Sequence, residues 1–205
     1  MHKQPADTVV VLDFETTGLS PDNGDRAIEI GAVLIEKGAV TGSFQQLMNP
    51  GQRISSFIEN YTGISNHMLK DAPGCETVMA EFAEFIGDHN LVAHNASFDR
   101  RFLDAEFASI GRSYPGEFAC SMLIARRVYQ AAPNHKLGGL VAYKNIPTDG
   151  VFHRALADAE MTGRLWLEML ADIQRQYAVD SLTFKQVQQL AKKPKAAVAS
   201  YLRGL

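Results

Sequence analysis

Residues 9–12, Val-Val-Val-Leu, form a continuous apolar run that ends in two acids, Asp13 and Glu15, within the stretch VLDFETTGLS. A run this apolar and β-branched suits an interior strand covered on both faces better than a solvent-facing one. Asp13 and Glu15 stand two residues apart, so their side chains leave the same face of that strand. Like charges held so close repel, and burying them costs free energy unless something positive sits between them.

The 205 residues suit one domain with a small appendage, long enough to bury roughly 70% of the unfolded surface. Apolar stretches at residues 8–14, 27–35 and 44–48, separated by the turn-forming SPDNGD and EKGAVTG, predict an antiparallel meander. Beyond TGIS the period becomes helical, with Val78, Phe82, Phe85 and Ile86 on one face and Gly87 as a stop. A short strand follows at 91–93, then a helix at 98–110 capped by Asn95 or Ser97 and ended by Gly111, and helices at 121–129, 137–143 and 154–177. Strands followed by alternating helix and strand predict an α/β domain with a mixed sheet over residues 1–177. In residues 178–205, Leu182, Val187 and Leu190 mark one short helix, and KKPK breaks it and adds charge, so this segment is expected to be a basic helical appendage.

The net charge of −3 argues against holding nucleic acid by overall positive charge, but not against a nucleic-acid enzyme whose site carries its own cations. Cys75 and Cys120 stand far apart and outside any Cys-x-x-Cys pair, so neither a disulfide framework nor a structural zinc site is expected. No apolar run is long enough for a signal peptide or a membrane span, which predicts a cytoplasmic protein without a membrane partner. The NAS sequon at Asn95 is read as chance in such a chain.

Two other segments place acids where chemistry is expected. VAHNASFDRRFL sets Asp99 near the start of a helix, straight after the short strand, and VFHRALADAEMTG sets Asp158 on a helix with His153 five residues before it. Five residues turn an ideal helix by about 500°, leaving the two side chains roughly 140° apart. His153 must therefore precede the helix, on a loop from which it can swing in when substrate binds.

DFETTGL, HNASFD and HRALADA together resemble the three motifs of the DnaQ-like (DEDDh) 3′–5′ exonucleases, in the right order and with plausible separations from about residue 8 to 170. The resemblance implies a ribonuclease-H-like sheet flanked by helices, with Asp13, Glu15, Asp99 and Asp158 as metal ligands and His153 as general base. A sister class carries tyrosine four residues before the last aspartate. Here that position is Arg154, which points to the histidine class. The resemblance also lays Thr16, Thr17, Gly18 and Leu19 along the terminal nucleotide, makes Ile64 of TGIS a wedge against the last bases, and lines the site with His94, Asn95 and Phe98.

Elementary chemistry agrees with that ligand set. Four converging carboxylates carry about four negative charges, untenable beside a polyanion without metal ions. Oxygen-only donors suit two divalent cations, Mg²⁺ or Mn²⁺, rather than zinc. Two such ions activate a water and stabilise the leaving oxygen of an in-line displacement, while an imidazole titrating near neutrality accepts the proton.

Glu29, inside AIEIGAV, is expected to be structural and satisfied by a neighbouring donor. His67, His89 and His135 are expected at the surface or in loops, and Arg100 and Arg101 are divided between phosphate contacts and ordinary ion pairs. The function expected is release of nucleoside 5′-monophosphates from nucleic-acid 3′ ends, on DNA in proofreading or repair. RNA trimming and a non-catalytic nucleic-acid-binding subunit of a polymerase assembly are the alternatives. A replication or repair partner such as a polymerase is sought at the basic tail, and monomer and dimer both stay open.

Overall fold

The computed structural model of the chain describes residues 4–148 and 153–205; the first three residues of the N-terminal stretch and Val151 and Phe152 of the third acidic segment lie outside the described residues. Five strands, β1 (Val9–Thr16), β2 (Ala27–Glu36), β3 (Ala39–Leu47), β4 (Leu91–Ala93) and β5 (Phe118–Cys120), form one sheet in the order β3-β2-β1-β4-β5. The first three are the expected antiparallel meander, and β4 and β5 add parallel to β1, so the sheet is mixed. The helices are α1 (Ser56–Thr62), α2 (Asn66–Lys70), α3 (Cys75–Ile86), α4 (Ser97–Ser109), α5 (Ser121–Val128), α6 (Leu137–Tyr143), α7 (Ala155–Tyr177), α8 (Phe184–Lys192) and α9 (Val198–Arg203).

Alternation along β1 divides the core. Val9 and Val11 join Val33, Ile35, Trp166 and Met169 on the α7 face, while Val10, Leu12 and Phe14 join Phe82, Phe102 and Phe107 on the α3/α4 face. Both faces are covered by helices, which is why the run is apolar at every position. By the same parity Asp13 and Glu15 emerge on the α7 face, and their partners on β2 are Gly31 and Glu29.

Gly31 sets how closely α7 approaches. A Cβ there would lie 2.0 Å from the backbone nitrogen of Leu156 and 2.2 Å from the carbonyl carbon of Ala155. Because those atoms are backbone, Gly31→Ala must lift the first turn of α7, and Asp158 with it. The substitution is expected to lower stability by about 1–3 kcal/mol, read as a lower urea midpoint. An unchanged midpoint would mean that α7 does not rest on β2 there.

Several elements differ from the sequence reading. β3 starts at Ala39 rather than 44, because its first residues are polar or exposed and carry no buried periodicity. β5 has only three residues, with Ala119 alone fully enclosed. Helices α1 and α2 are one to two turns long and begin at Ser55 and Ser65, whose hydroxyls accept the N–H groups of Ile58 and Met68. Neither Asn95 nor Ser97 caps α4: the cap position is Ala96, with no side-chain bond, and Asn95 takes a left-handed conformation at φ +67°. Residues 178–205 hold two helices rather than one, and they are not peripheral. Phe184, Val187, Leu190, Val198 and Leu202 complete the core around Trp166, Ala6 N–H donates to the Leu182 carbonyl and Phe184 N–H to that of Gln4. The lysines Lys185, Lys192 and Lys195 occupy the solvent face, so the segment is basic outside and apolar within.

Candidate active site

The four acids come together where β1 outruns its neighbour. β4 pairs only with Val10 and Val11 of β1, so beyond Leu12 that edge of β1 is open to the start of α4. Asp99, in the first turn of α4 and 2% exposed, fills the gap: its Oδ1 accepts the Phe14 N–H at 3.2 Å. Asp158 enters from the first turn of α7 over Gly31. Asp13, Glu15, Asp99 and Asp158 thus line one cleft of about 680 Å³, with His153 at its edge.

The electrostatics are those of crowded carboxylates without counter-charge. Burial, then Asp99, Asp158, Glu15 and Glu29, hold the Asp13 carboxyl well above the usual range. Burial, then Asp158 and Glu29, push Glu15 up to about 8, against a smaller opposing pull from Arg154. Burial pushes Asp99 up to about 7 despite the backbone bonds it accepts, and burial raises Asp158 despite the His153 N–H. Asp158 Oδ2 accepts that N–H at 3.0 Å, yet its Oδ1 is buried with no hydrogen-bond partner among the described residues. A buried carboxylate oxygen without a partner is costly, and on a residue close enough to raise Asp13 and Glu15 it calls for a cation.

Oxygen donors from four carboxylates are the set that Mg²⁺ or Mn²⁺ takes. Glu15, Asp158 and His153 also each present one ligand atom within 4.8 Å of the others. His153 precedes α7 in a left-handed conformation, φ +62°, off the helix as the 140° offset required.

Glu29 is structural, as expected, and its donor is Arg154. The guanidinium forks onto both carboxylate oxygens at 2.9 and 3.2 Å, and Ala155 N–H and Gln45 add bonds. The arginine at the sister-class tyrosine position is therefore engaged with β2. Arg154→Met strands the fully buried Glu29 charge and is expected to cost about 2–4 kcal/mol, discounted because the guanidinium is partly exposed. Glu29→Gln in the same chain is expected to recover most of that loss in a denaturation midpoint, and failure to recover it would show that the two residues act separately.

The loop after β1 lines the cleft. Thr16 Oγ1 donates to the Gly18 carbonyl at 2.6 Å, leaving its lone pairs able to accept. Thr17 Oγ1 is committed to the Asp25 carboxylate and the Arg26 N–H. A Cβ on Gly18 would lie 2.4 Å from the Asp25 carboxylate, so a larger residue there must displace that side chain from its bonds to Thr17 and Ser20. Leu19 is 78% exposed at the rim, and Asn95 and Phe98 line the far wall.

One sequence expectation is corrected. Ile64 cannot act as a wedge: it is fully buried among Ile28, Ile54 and Leu69, because the turn after α1 points it into the sheet side. The wall it was expected to form is made instead by Phe57, Ile58, Tyr61 and Thr62. His94 lines the cleft, but its ring nitrogens are taken, Nδ1 by Ser121 Oγ at 2.8 Å and Nε2 by the His135 carbonyl at 3.0 Å. Burial pushes its pKa down to about 4, so a neutral ring ties β4 to the loop before α6 and offers no free nitrogen to a ligand. Phe57 and Tyr61 were missed by the sequence reading. Their i, i+4 spacing in SFIENYT was the available signal, hidden by the shortness of the helix.

Comparison with known proteins bears on this constellation. The exonuclease (RNase T) family model matches residues 10–166, a span that contains all four acids and His153. The chain belongs to the exonuclease family. Among its curated relatives in that family, a DNA polymerase III PolC-type from Caldanaerobacter subterraneus subsp. tengcongensis is 39% identical over 80% of this chain. The chain spans only 12% of that relative's length. DNA polymerase III subunit epsilon of Aquifex aeolicus is 32% identical over 84% of this chain and 85% of its own length. The solved structure of exonuclease X in complex with 5′ overhanging duplex DNA superposes with a TM-score of 0.69 at 26% identity, covering 89% of this chain and 99% of that one. The ribonuclease-H-like mixed sheet expected from the motifs is thus the fold of these exonucleases.

Proposed function

We propose that this chain is a metal-dependent 3′–5′ exonuclease that hydrolyses the terminal phosphodiester of DNA and releases nucleoside 5′-monophosphates. The observation that carries the reading is the convergence of Asp13, Glu15, Asp99 and Asp158 from β1, α4 and α7 in one cleft, with an unpartnered Asp158 Oδ1 and an imidazole beside them. The carboxylates of Asp13, Glu15, Asp99 and Asp158 would hold divalent cations, whose charge would favour ionisation of a water and offset charge on the leaving oxygen.

The chain's own groups do the rest. A nitrogen of His153 accepts the water's proton, and its exposed position lets that proton pass to solvent. The Thr16 oxygen and the backbone at Gly18 meet the terminal 3′-OH. Leu19, Phe57 and Phe98 give the last bases an apolar surface, since base stacking tolerates every sequence. DNA is favoured by the polymerase III relatives and by the DNA-bound structural relative. A polymerase partner and a cytoplasmic setting accompany that reading, and the lysines on the outer face of α8 are where such a partner is sought.

Matched single-stranded DNA and RNA oligonucleotides labelled at the 5′ end, incubated with Mg²⁺, Mn²⁺ or a chelator, test the proposal. The expected result is stepwise shortening of DNA from the 3′ end, mononucleotide products and complete loss with chelator. Internal cuts, or hydrolysis indifferent to chelator, would overturn the mechanism, and shortening of RNA alone would overturn the substrate.

A further inference from the structure

Among the described residues, the ring of His153 is contacted by packing rather than by hydrogen bonds. Its backbone N–H bonds Asp158, but among the described residues its ring nitrogens donate to no group. Tyr61 lies against it, ring centroids 4.1 Å apart and planes inclined by 38°. Phe57, one helical turn earlier on α1, stacks behind Tyr61 at 5.9 Å and 11°. Phe57 is 69% and Tyr61 50% exposed, so neither is committed to the core. They form a short pile along α1 that ends on the imidazole at the rim of the acidic cleft.

We propose that Tyr61 is a positioning residue that holds the His153 imidazole over Glu15 and Asp158 through the face of its ring. The inference rests on the assignment of His153 as general base. A histidine in a left-handed backbone conformation, whose ring has no hydrogen bond among the described residues, has more than one staggered rotamer open to it. A stacked neighbour narrows that set toward the one facing the acids. The tyrosine ring, not its hydroxyl, makes the contact, so phenylalanine should serve and leucine should not. Since α1 also bears residues that wall the cleft, the same contact ties the imidazole's place to the substrate side of the site.

The full chain with Mg²⁺ is used, with His153 ring-proton resonances identified by their loss in His153→Ala. Tyr61→Leu is expected to move those resonances downfield, as the ring current of Tyr61 is removed. It is also expected to lower kcat roughly three- to tenfold, the range of one aromatic pair, with KM little changed. Tyr61→Phe should restore both the shift and kcat. The proposal is overturned if the His153 resonances stay put in Tyr61→Leu, if kcat is unchanged when they move, or if Tyr61→Phe is as impaired as Tyr61→Leu. A rise in KM alone overturns it too, assigning Tyr61 to nucleobase contact. Because the resonances are read without substrate, they decide the ring contact even if His153→Ala is fully active and the general-base assignment falls.

Discussion

Asp13→Asn is expected to lower hydrolysis by roughly 10³-fold or more and, at the same time, to stabilise the metal-free chain. The first effect follows from the proposed role of Asp13 as a cation ligand, since cation stabilisation of the transition state is worth several kcal/mol. The second follows from the charges left behind. Asp13 is surrounded by Asp99, Asp158, Glu15 and Glu29, so a neutral amide relieves repulsion that folding otherwise imposes. Catalysis and stability are opposed at this residue, as is common where a site is built for a ligand.

The same crowding fixes the sign of a pH dependence. Glu15 titrates at about 8 in the native chain against an ordinary 4.5, and Asp99 at about 7 against 3.8. Between those limits the native state binds more protons than the unfolded state, so stability falls as pH rises. Below about pH 4 both states are protonated and the contribution vanishes; above about pH 8 the full penalty stands. Metal-free protein is therefore expected to melt lower at pH 8 than at pH 5.5. Mg²⁺ or Mn²⁺ should raise the melting temperature more at pH 8, and Asp13→Asn should flatten part of the slope. A metal-free chain that becomes steadily more stable from pH 5.5 to pH 8 would contradict the crowding.

His153→Ala is expected to lower kcat by about 10²–10⁴-fold with little change in KM or folding. His153 is exposed, and the bond it gives Asp158 comes from its backbone, so alanine keeps both the core and that contact. On the proposed mechanism, what is lost is the proton acceptor beside the attacking water. Steady-state kinetics on a short oligonucleotide provide the measurement, and a loss under tenfold would remove His153 from the chemistry.

The acids were legible because their chemistry contradicts their surroundings. A strand that is apolar on both faces has one reason to end in two same-face carboxylates, and the parity that sends Val9 and Val11 to the α7 side carries Asp13 and Glu15 with them. The offset between His153 and Asp158 likewise placed the histidine off the helix. What depends on three-dimensional approach was not legible. Gly31 reads as an unremarkable strand glycine until α7 lies on it. Arg26 and Glu106, 80 residues apart, carry no local pattern, yet their ion pair bonds α4 to the start of β2. Ile64 was misplaced for a related reason: a motif gives a residue's position along the chain, whereas burial in a side cluster is decided by neighbours far away. The tail read as a basic appendage because its lysines interrupt an apolar pattern too short to stand out, though Phe184 packs on Trp166.

Anomalous diffraction from crystals soaked in manganese with a nucleoside 5′-monophosphate tests the cation cage directly. Two peaks are expected about 3.5–4 Å apart, bounded by the carboxylates of Asp13, Glu15, Asp99 and Asp158, with His153 bonded to neither. No peak among those oxygens, or a single ion ligated by Glu15, Asp158 and a nitrogen of His153, would contradict a two-cation nuclease with histidine as its base.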